Sequence, residues 1–206
     1  MPPLTPTPTP PAAPRAPRAP RAVLVGPPGS GKSTVARLLA RELGVAPRDT
    51  DVDIERSAGK PISEIFVDDG EPHFRDLERD AVTSALASHA GVLALGGGAV
   101  LDPHTEAALA AYAAAGGAVV FLDVSLAHAA PRVGFNQARP LLLGNPRSQW
   151  QALMERRRPV YRRVATLVVS TDARSPAQVA HEIAAALRAT PPRDAGAVHH
   201  ESGAPQ

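Results

Sequence analysis

Val23-Leu24-Val25-Gly26-Pro27-Pro28-Gly29-Ser30-Gly31-Lys32-Ser33-Thr34-Val35-Ala36-Arg37-Leu38-Leu39 is the stretch whose reading decides the fold. The apolar run at 23–25 reads as a buried strand, and Val35, Leu38 and Leu39 recur at helical spacing. Between them Gly26 to Ser33 fits G-x-x-x-x-G-K-[ST], so the predicted order is strand, anion-cradling loop, helix. Gly26, Gly29 and Gly31 allow the backbone to turn its N–H groups inward, and the helix beginning near Lys32 adds its positive end. Lys32 offers a mobile charge to β and γ phosphates, and Ser33 offers a hydroxyl to Mg2+. Lysine is scarce here, with Lys32 and Lys60 the only two among 22 basic residues, so its presence at this position is not background.

Working outward, the helix is predicted to end near Leu43, with Gly44 as its cap. In Pro47-Arg48-Asp49-Thr50-Asp51-Val52-Asp53-Ile54 we expect a second strand that carries Asp49 and Asp51 to the carboxyl edge of a sheet. Pro47 and Arg48 suit a central strand poorly, which places this strand at an edge. Two carboxylates near a triphosphate suit a metal and a substrate hydroxyl, although Asp51 could equally cap a helix containing Ile54.

Short and long helices are expected at 61–66 and from Gly70 to about His89. In the longer one Arg75 and Glu78 are one turn apart, so the carboxylate can brace the guanidinium for a two-pronged grip on an anion, or the two can form a plain surface ion pair. The strand at 91–95 opens onto Gly96-Gly97-Gly98, where a ligand can approach bare backbone N–H groups. A helix at 103–115, a strand at 118–123 and a helix from Ser125 to about Arg132 follow. The segment 134–148 breaks the pattern with two glycines and two prolines and reads as a mobile lid, within which Arg139 could reach over bound nucleotide. Helix returns at 150–163 with the basic run Arg156-Arg157-Arg158; a strand at 166–170 and a helix from Ser175 to about Leu187 complete the pattern.

Strand and helix alternate five times, which argues for a parallel three-layer α/β sandwich. The flanks differ in kind. Residues 1–21 carry repeated prolines and an Ala-Pro-Arg triplet repeat, which blocks both helix and sheet, and 189–206 has the composition of a tail. The net charge of +2 is dispersed and does not argue for nucleic acid, and no apolar run is long enough for a membrane span, so neither a nucleic-acid nor a membrane partner is expected. The absence of cysteine excludes disulfide and thiolate chemistry and fits a reducing compartment.

Taken in order, GPPGSGKST, DTDVDIE, GEPHFRDLE, LGGGAV, ARPLL and RRRPVYRR resemble the shikimate kinase family, from about residue 22 to 187. The resemblance implies a P-loop kinase domain over 22–188, with a five-stranded parallel sheet in the order 2-3-1-4-5 and a lid at about 132–148. It implies transfer of the γ-phosphoryl of ATP to the 3-hydroxyl of shikimate, with Mg2+ as cofactor, in a cytoplasmic monomer. Carried over residue by residue, Gly29, Ser30, Gly31, Lys32, Ser33 and Thr34 would hold the phosphates. Ser33 would ligate Mg2+, and Asp49 would assist the metal through water. Asp51 would contact the substrate hydroxyl as base, while Arg75 and Arg157 would grip the carboxylate. Gly97, flanked by Gly96 and Gly98, would meet the substrate through backbone. Arg139 would be the lid arginine that works with Lys32 and Asp51 in catalysis, and Arg132 and Arg174 would flank adenine. A sugar-acid kinase of the gluconate type is the nearest enzyme rival, and a non-catalytic nucleotide-binding module is the rival from another class.

Overall fold

In the computed structural model, which describes residues 19–133 and 146–189, five strands form one parallel sheet in the order β2-β3-β1-β4-β5. They are β1 (Ala22–Val25), β2 (Pro47–Asp49), β3 (Val92–Ala94), β4 (Val119–Asp123) and β5 (Leu167–Ser170). The helices are α1 (Lys32–Leu43), α2 (Thr50–Ala58), α3 (Ile62–Asp68), α4 (Gly70–Ser88), α5 (Pro103–Ala114), α6 (Leu126–Val133), α7 (Pro146–Val164) and α8 (Pro176–Ala189). A single 3-10 turn at Ala99–Leu101 lies between β3 and α5. None of these helices is long and apolar enough to cross a membrane.

The central strand β1 is buried on both faces, as a parallel strand between two helix layers must be. Its alternation divides the core. Ala22 and Leu24 face Leu39 of α1 and Ile183 of α8, while Val23 and Val25 face the layer holding Val82, Leu109 and Tyr161. Phe121 of β4 stacks on Tyr161 of α7 at a ring separation of 5.1 Å, which locks that helix against the sheet. A smaller cluster of Ile54, Ile65 and Phe74 ties α2, α3 and α4 together beyond the edge strand.

The edge position expected for β2 is observed, with Pro47 opposite Val92 and Asp49 opposite Ala94. Proline is tolerated there because its missing N–H falls on an edge. One expectation is corrected. Asp51 is not on the strand: the Asp49 side chain accepts a hydrogen bond from the Asp51 N–H at 3.0 Å, so the chain passes directly from β2 into the first turn of α2. The cap is therefore Asp49, not Asp51. Helix α7 also begins earlier than expected, at Pro146, so Arg147 and Ser148 are helical where an irregular segment was predicted. Arg132 lies within α6, and Arg139 falls outside the described residues, as do 1–18 and 190–206.

The chain enters the sheet through Pro20, which is buried. Tyr112 donates its hydroxyl to the Pro20 carbonyl at 2.8 Å, and the Arg21 N–H donates to Gly91 at 2.8 Å. This entry point is at the amino end of the strands, whereas the phosphate loop, Asp51, the glycines at 96–98 and Arg174 follow carboxyl ends.

Candidate active site

The phosphate loop leaves β1 at Gly26, where a side chain would collide with the Leu122 carbonyl at 2.7 Å. It ends at Gly31, whose φ of 87° starts α1 with no side-chain cap on the helix. The uncapped amino end of α1 is a ready site for an anion. Lys32 Nζ curls back to donate to the carbonyls of Gly26 at 2.9 Å and Pro27 at 3.1 Å. Ser30 is buried, with its hydroxyl turned inward to Pro27 at 2.9 Å, so its side chain braces the loop. Ser33 Oγ lies 2.6 Å from Asp49 Oδ2, joining the loop to the end of β2.

A cavity of about 410 Å³ opens beside this loop, lined by residues 29–34 together with Arg132, Thr171, Arg174 and Pro176. Arg132 reaches from α6 to the Gly29 carbonyl at 3.4 Å and to the Thr171 carbonyl at 3.4 Å. Arg174 is held by an ion pair with Glu182 and by the Ser170 carbonyl. The two arginines expected near adenine thus line the same cavity as the phosphate cradle.

On the other side of the loop, residues from α2, α4, α7 and the β3 glycines meet. A Cβ on Gly96 would strike Asp51 Oδ1 at 2.5 Å and Glu78 Oε1 at 2.6 Å, and one on Gly98 would run into Arg75 Nη1. Only glycine allows the backbone this close to three charged groups. Gly97 touches the phosphate loop itself, its Cβ position lying 3.2 Å from Pro28. Glu78 is buried and accepts from Arg75 Nη1 at 2.6 Å, while Glu71 takes the Nε and Nη2 of Arg75 at 3.2 and 2.9 Å. The brace is therefore real, and one of its two members is inside the protein. Burial pushes the Glu78 carboxyl above its usual range, and the Arg75 guanidinium pulls against that rise.

Burial and the neighbouring Asp49 carboxylate push the Asp51 carboxyl up to about 6, with Lys32 opposing. A carboxyl with that value is charged at neutral pH and still a usable proton acceptor. Of the three consecutive arginines, Arg157 alone reaches the glycine loop, donating to the Gly97 carbonyl at 3.1 Å. Arg158 turns to Asp123, and Arg156 is exposed.

The sequence reading missed three contacts. Buried Thr50 accepts the Gly96 N–H at 3.1 Å, Tyr161 donates its hydroxyl to the Gly97 carbonyl at 2.5 Å, and Trp150 donates its indole N–H to Pro28 at 3.3 Å. The signal was present in α7. Trp150, Arg157 and Tyr161, spaced by seven and four, make one helical stripe, and all three bear on the two glycine loops.

The shikimate kinase family model matches residues 28–188. A shikimate kinase of Salinispora arenicola is 59% identical over 167 residues, covering 81% of this chain and 97% of that protein. One from Mycobacterium tuberculosis is 51% identical over 175 residues, covering 84% and 97%. Among solved structures, shikimate kinase from Acinetobacter baumannii in complex with shikimate superposes with a TM-score of 0.77 at 34% identity, covering 83% of this chain and 93% of that one. A gluconokinase from Sinorhizobium meliloti gives a TM-score of 0.53 at 25% identity, covering 84% and 94%, so the rival enzyme class shares the frame less closely.

Proposed function

This chain belongs to the shikimate kinase family, an ATP-dependent kinase acting on a hydroxyl group of shikimate, and we propose how its own residues divide that work. The reaction moves the γ-phosphoryl of ATP to the shikimate 3-hydroxyl. The observation that carries the assignment of roles is the contact between the two glycine loops: Gly97 lies against Pro28, so an acceptor beside the 96–98 backbone adjoins the phosphates cradled by 29–34.

The nucleotide occupies the cavity between the phosphate loop, Arg132 and Arg174. Lys32 exchanges its two loop carbonyls for phosphate oxygens as the site fills. Mg2+ fits the open end of the loop, where the Ser33 hydroxyl and the Asp49 carboxylate lie together as hard oxygen donors. Ser33 would ligate it directly and Asp49 through water. No group of three or more His, Cys, Asp or Glu side chains is placed to hold a metal ion among the described residues. When bound, Mg2+ neutralises charge on the transferring group.

The acceptor's carboxylate is gripped by Arg75, pre-aimed by Glu71 and Glu78, and by Arg157, whose charge also acts on Glu78. Asp51 then faces the acceptor hydroxyl, orients it and takes its proton as the new O–P bond forms and the bond from the γ-phosphorus to the β,γ-bridging oxygen breaks, with ADP leaving. A loose transition state asks for positioning and positive charge more than for a strong base, which a carboxyl near 6 can serve. Arg139, outside the described residues, is proposed to add charge over the phosphates. The kinase unit is assigned to residues 22–188, with 1–21 and 189–206 as appendages, and it is placed in the cytoplasm. Every group named comes from one chain, so the reading needs no second subunit and we assign a monomer.

A coupled ADP-release assay with shikimate and gluconate tests the substrate. Turnover is expected with shikimate only, and turnover confined to gluconate would overturn the assignment. The Asp51 carboxyl sets a second expectation. Because only the ionised form can accept the proton, kcat/KM for shikimate should be flat above pH 6 to 7 and fall about tenfold per unit below about 6. An acid limb that survives Asp51→Asn would assign it to another group.

A further inference from the structure

The three-glycine loop has more fixed geometry than its composition suggests. Four of its backbone groups have protein partners. The Gly96 N–H is bound by Thr50, the Gly96 carbonyl by the Ala99 N–H at 3.2 Å, the Gly97 carbonyl by Tyr161 and Arg157, and the Gly98 carbonyl by the Leu101 N–H at 2.9 Å. The Gly97 and Gly98 N–H groups have no protein partner among the described residues, and both residues are only partly buried. These are the two donors the loop has left to offer a ligand.

Their direction is set from behind. A trans peptide holds its C=O and N–H on opposite sides, and no cis bond occurs here. Drawing the Gly97 carbonyl toward α7 therefore turns the Gly98 N–H away from α7. The Thr50 bond fixes the residue before, at the point where Asp51 and Glu78 press on Gly96. Both clamps are rigid. Thr50 is buried at the start of α2, and the Tyr161 ring is buried and stacked on Phe121, which leaves its phenol up near 12 and always a donor.

We infer that Thr50 and Tyr161 are positioning residues for the acceptor: their hydroxyls clamp the 96–98 backbone so that the Gly97 and Gly98 N–H groups stand toward the substrate. This rests on the proposed placement of shikimate beside Arg75 and the glycine loop. Neither hydroxyl touches a reacting atom; each acts through the loop.

The test is a steady-state comparison of Thr50→Val, Thr50→Ser, Tyr161→Phe and Arg75→Lys, with KM for each substrate, kcat and Tm. Phenylalanine keeps the stacking and removes only the hydroxyl. Thr50→Val and Tyr161→Phe are expected to raise the shikimate KM about tenfold while kcat and the ATP KM change less than about twofold. Thr50→Ser, which restores the hydroxyl, is expected to return the KM to near wild type. If Arg75→Lys weakens shikimate and the two hydroxyl deletions do not, the clamp is overturned and the site stands. If the deletions raise both KM values and lower kcat and Tm together, the hydroxyls serve general stability and the inference also falls. If Arg75→Lys leaves shikimate untouched, the acceptor site itself is misplaced, and the clamp goes with it.

Discussion

Asp51→Asn is expected to lower kcat by about three orders of magnitude, the middle of the range for removing a positioned general base, with the KM for ATP little changed. The carboxylate is proposed to touch the acceptor's hydroxyl and not the phosphate cradle, so nucleotide affinity has no reason to follow. The same substitution should make the protein more stable at neutral pH. Burial and the Asp49 carboxylate disfavour the Asp51 charge and push its carboxyl from the ordinary 3.8 up to about 6. Its neutral form is the one the fold tolerates, so the stability it permits is complete below about pH 4 and is lost as pH rises through 6. An uncharged amide escapes that loss, and we expect a gain on the order of 2 kcal/mol at pH 7, or a few degrees in Tm. Differential scanning calorimetry at pH 4 and pH 7.5 checks it: the variant's advantage should be present at the higher pH and vanish at the lower. An inactive variant with unchanged stability at both would mean that Asp51 is not charged against the fold's preference. A variant that keeps its turnover would remove Asp51 from the chemistry altogether.

Arg75→Ala should lower kcat/KM for shikimate by about two to three orders of magnitude while the ATP KM stays within about threefold. A bidentate, partly desolvated arginine–carboxylate pair is worth several kcal/mol when one partner is removed. The effect on stability is separable. Glu78 has a side chain only 4% exposed and loses its nearest cation in this variant. A buried carboxylate without a partner is costly and takes up a proton instead. Adding Glu78→Gln should therefore recover most of the lost Tm and none of the lost shikimate affinity. Recovery of affinity in the double variant would show that Arg75 matters only as the counter-ion of Glu78, and selective loss of ATP binding would refute the grip.

The legible part of the fold was whatever local chemistry dictates without help. Gly31-Lys32-Ser33 and Gly44 bounded α1, and Pro47 marked β2 as an edge because a missing N–H has consequences wherever it falls. The pairing of Arg75 with Glu78 was readable from a spacing of three. The buried state of Glu78 was not, since burial depends on the glycine loop that packs over it. Thr50 carries no local signal of its role between two aspartates, yet its hydroxyl reaches a backbone group 46 residues away. The same holds for Tyr161, hidden in a basic run and bonded across 64 residues. Asp49 and Asp51 both read as carried to the sheet's carboxyl edge by the second strand. Deciding which one caps the helix requires knowing where the strand lets go. Arg157 could be chosen over its neighbours by resemblance, but the physical ground for the choice, the direction each arginine leaves α7, exists only once α7 is docked on Phe121.

Pro20 and Arg21, pinned by Tyr112 and Gly91, lie at the far pole from both glycine loops, separated by the length of a four-residue strand. An enzyme fastened to a sensor surface or a bead through that side would keep its mouth turned to the solution. A load applied there would be borne by the hydrogen bonds of β1 to its two neighbours in shear, the direction in which a paired strand resists extraction best.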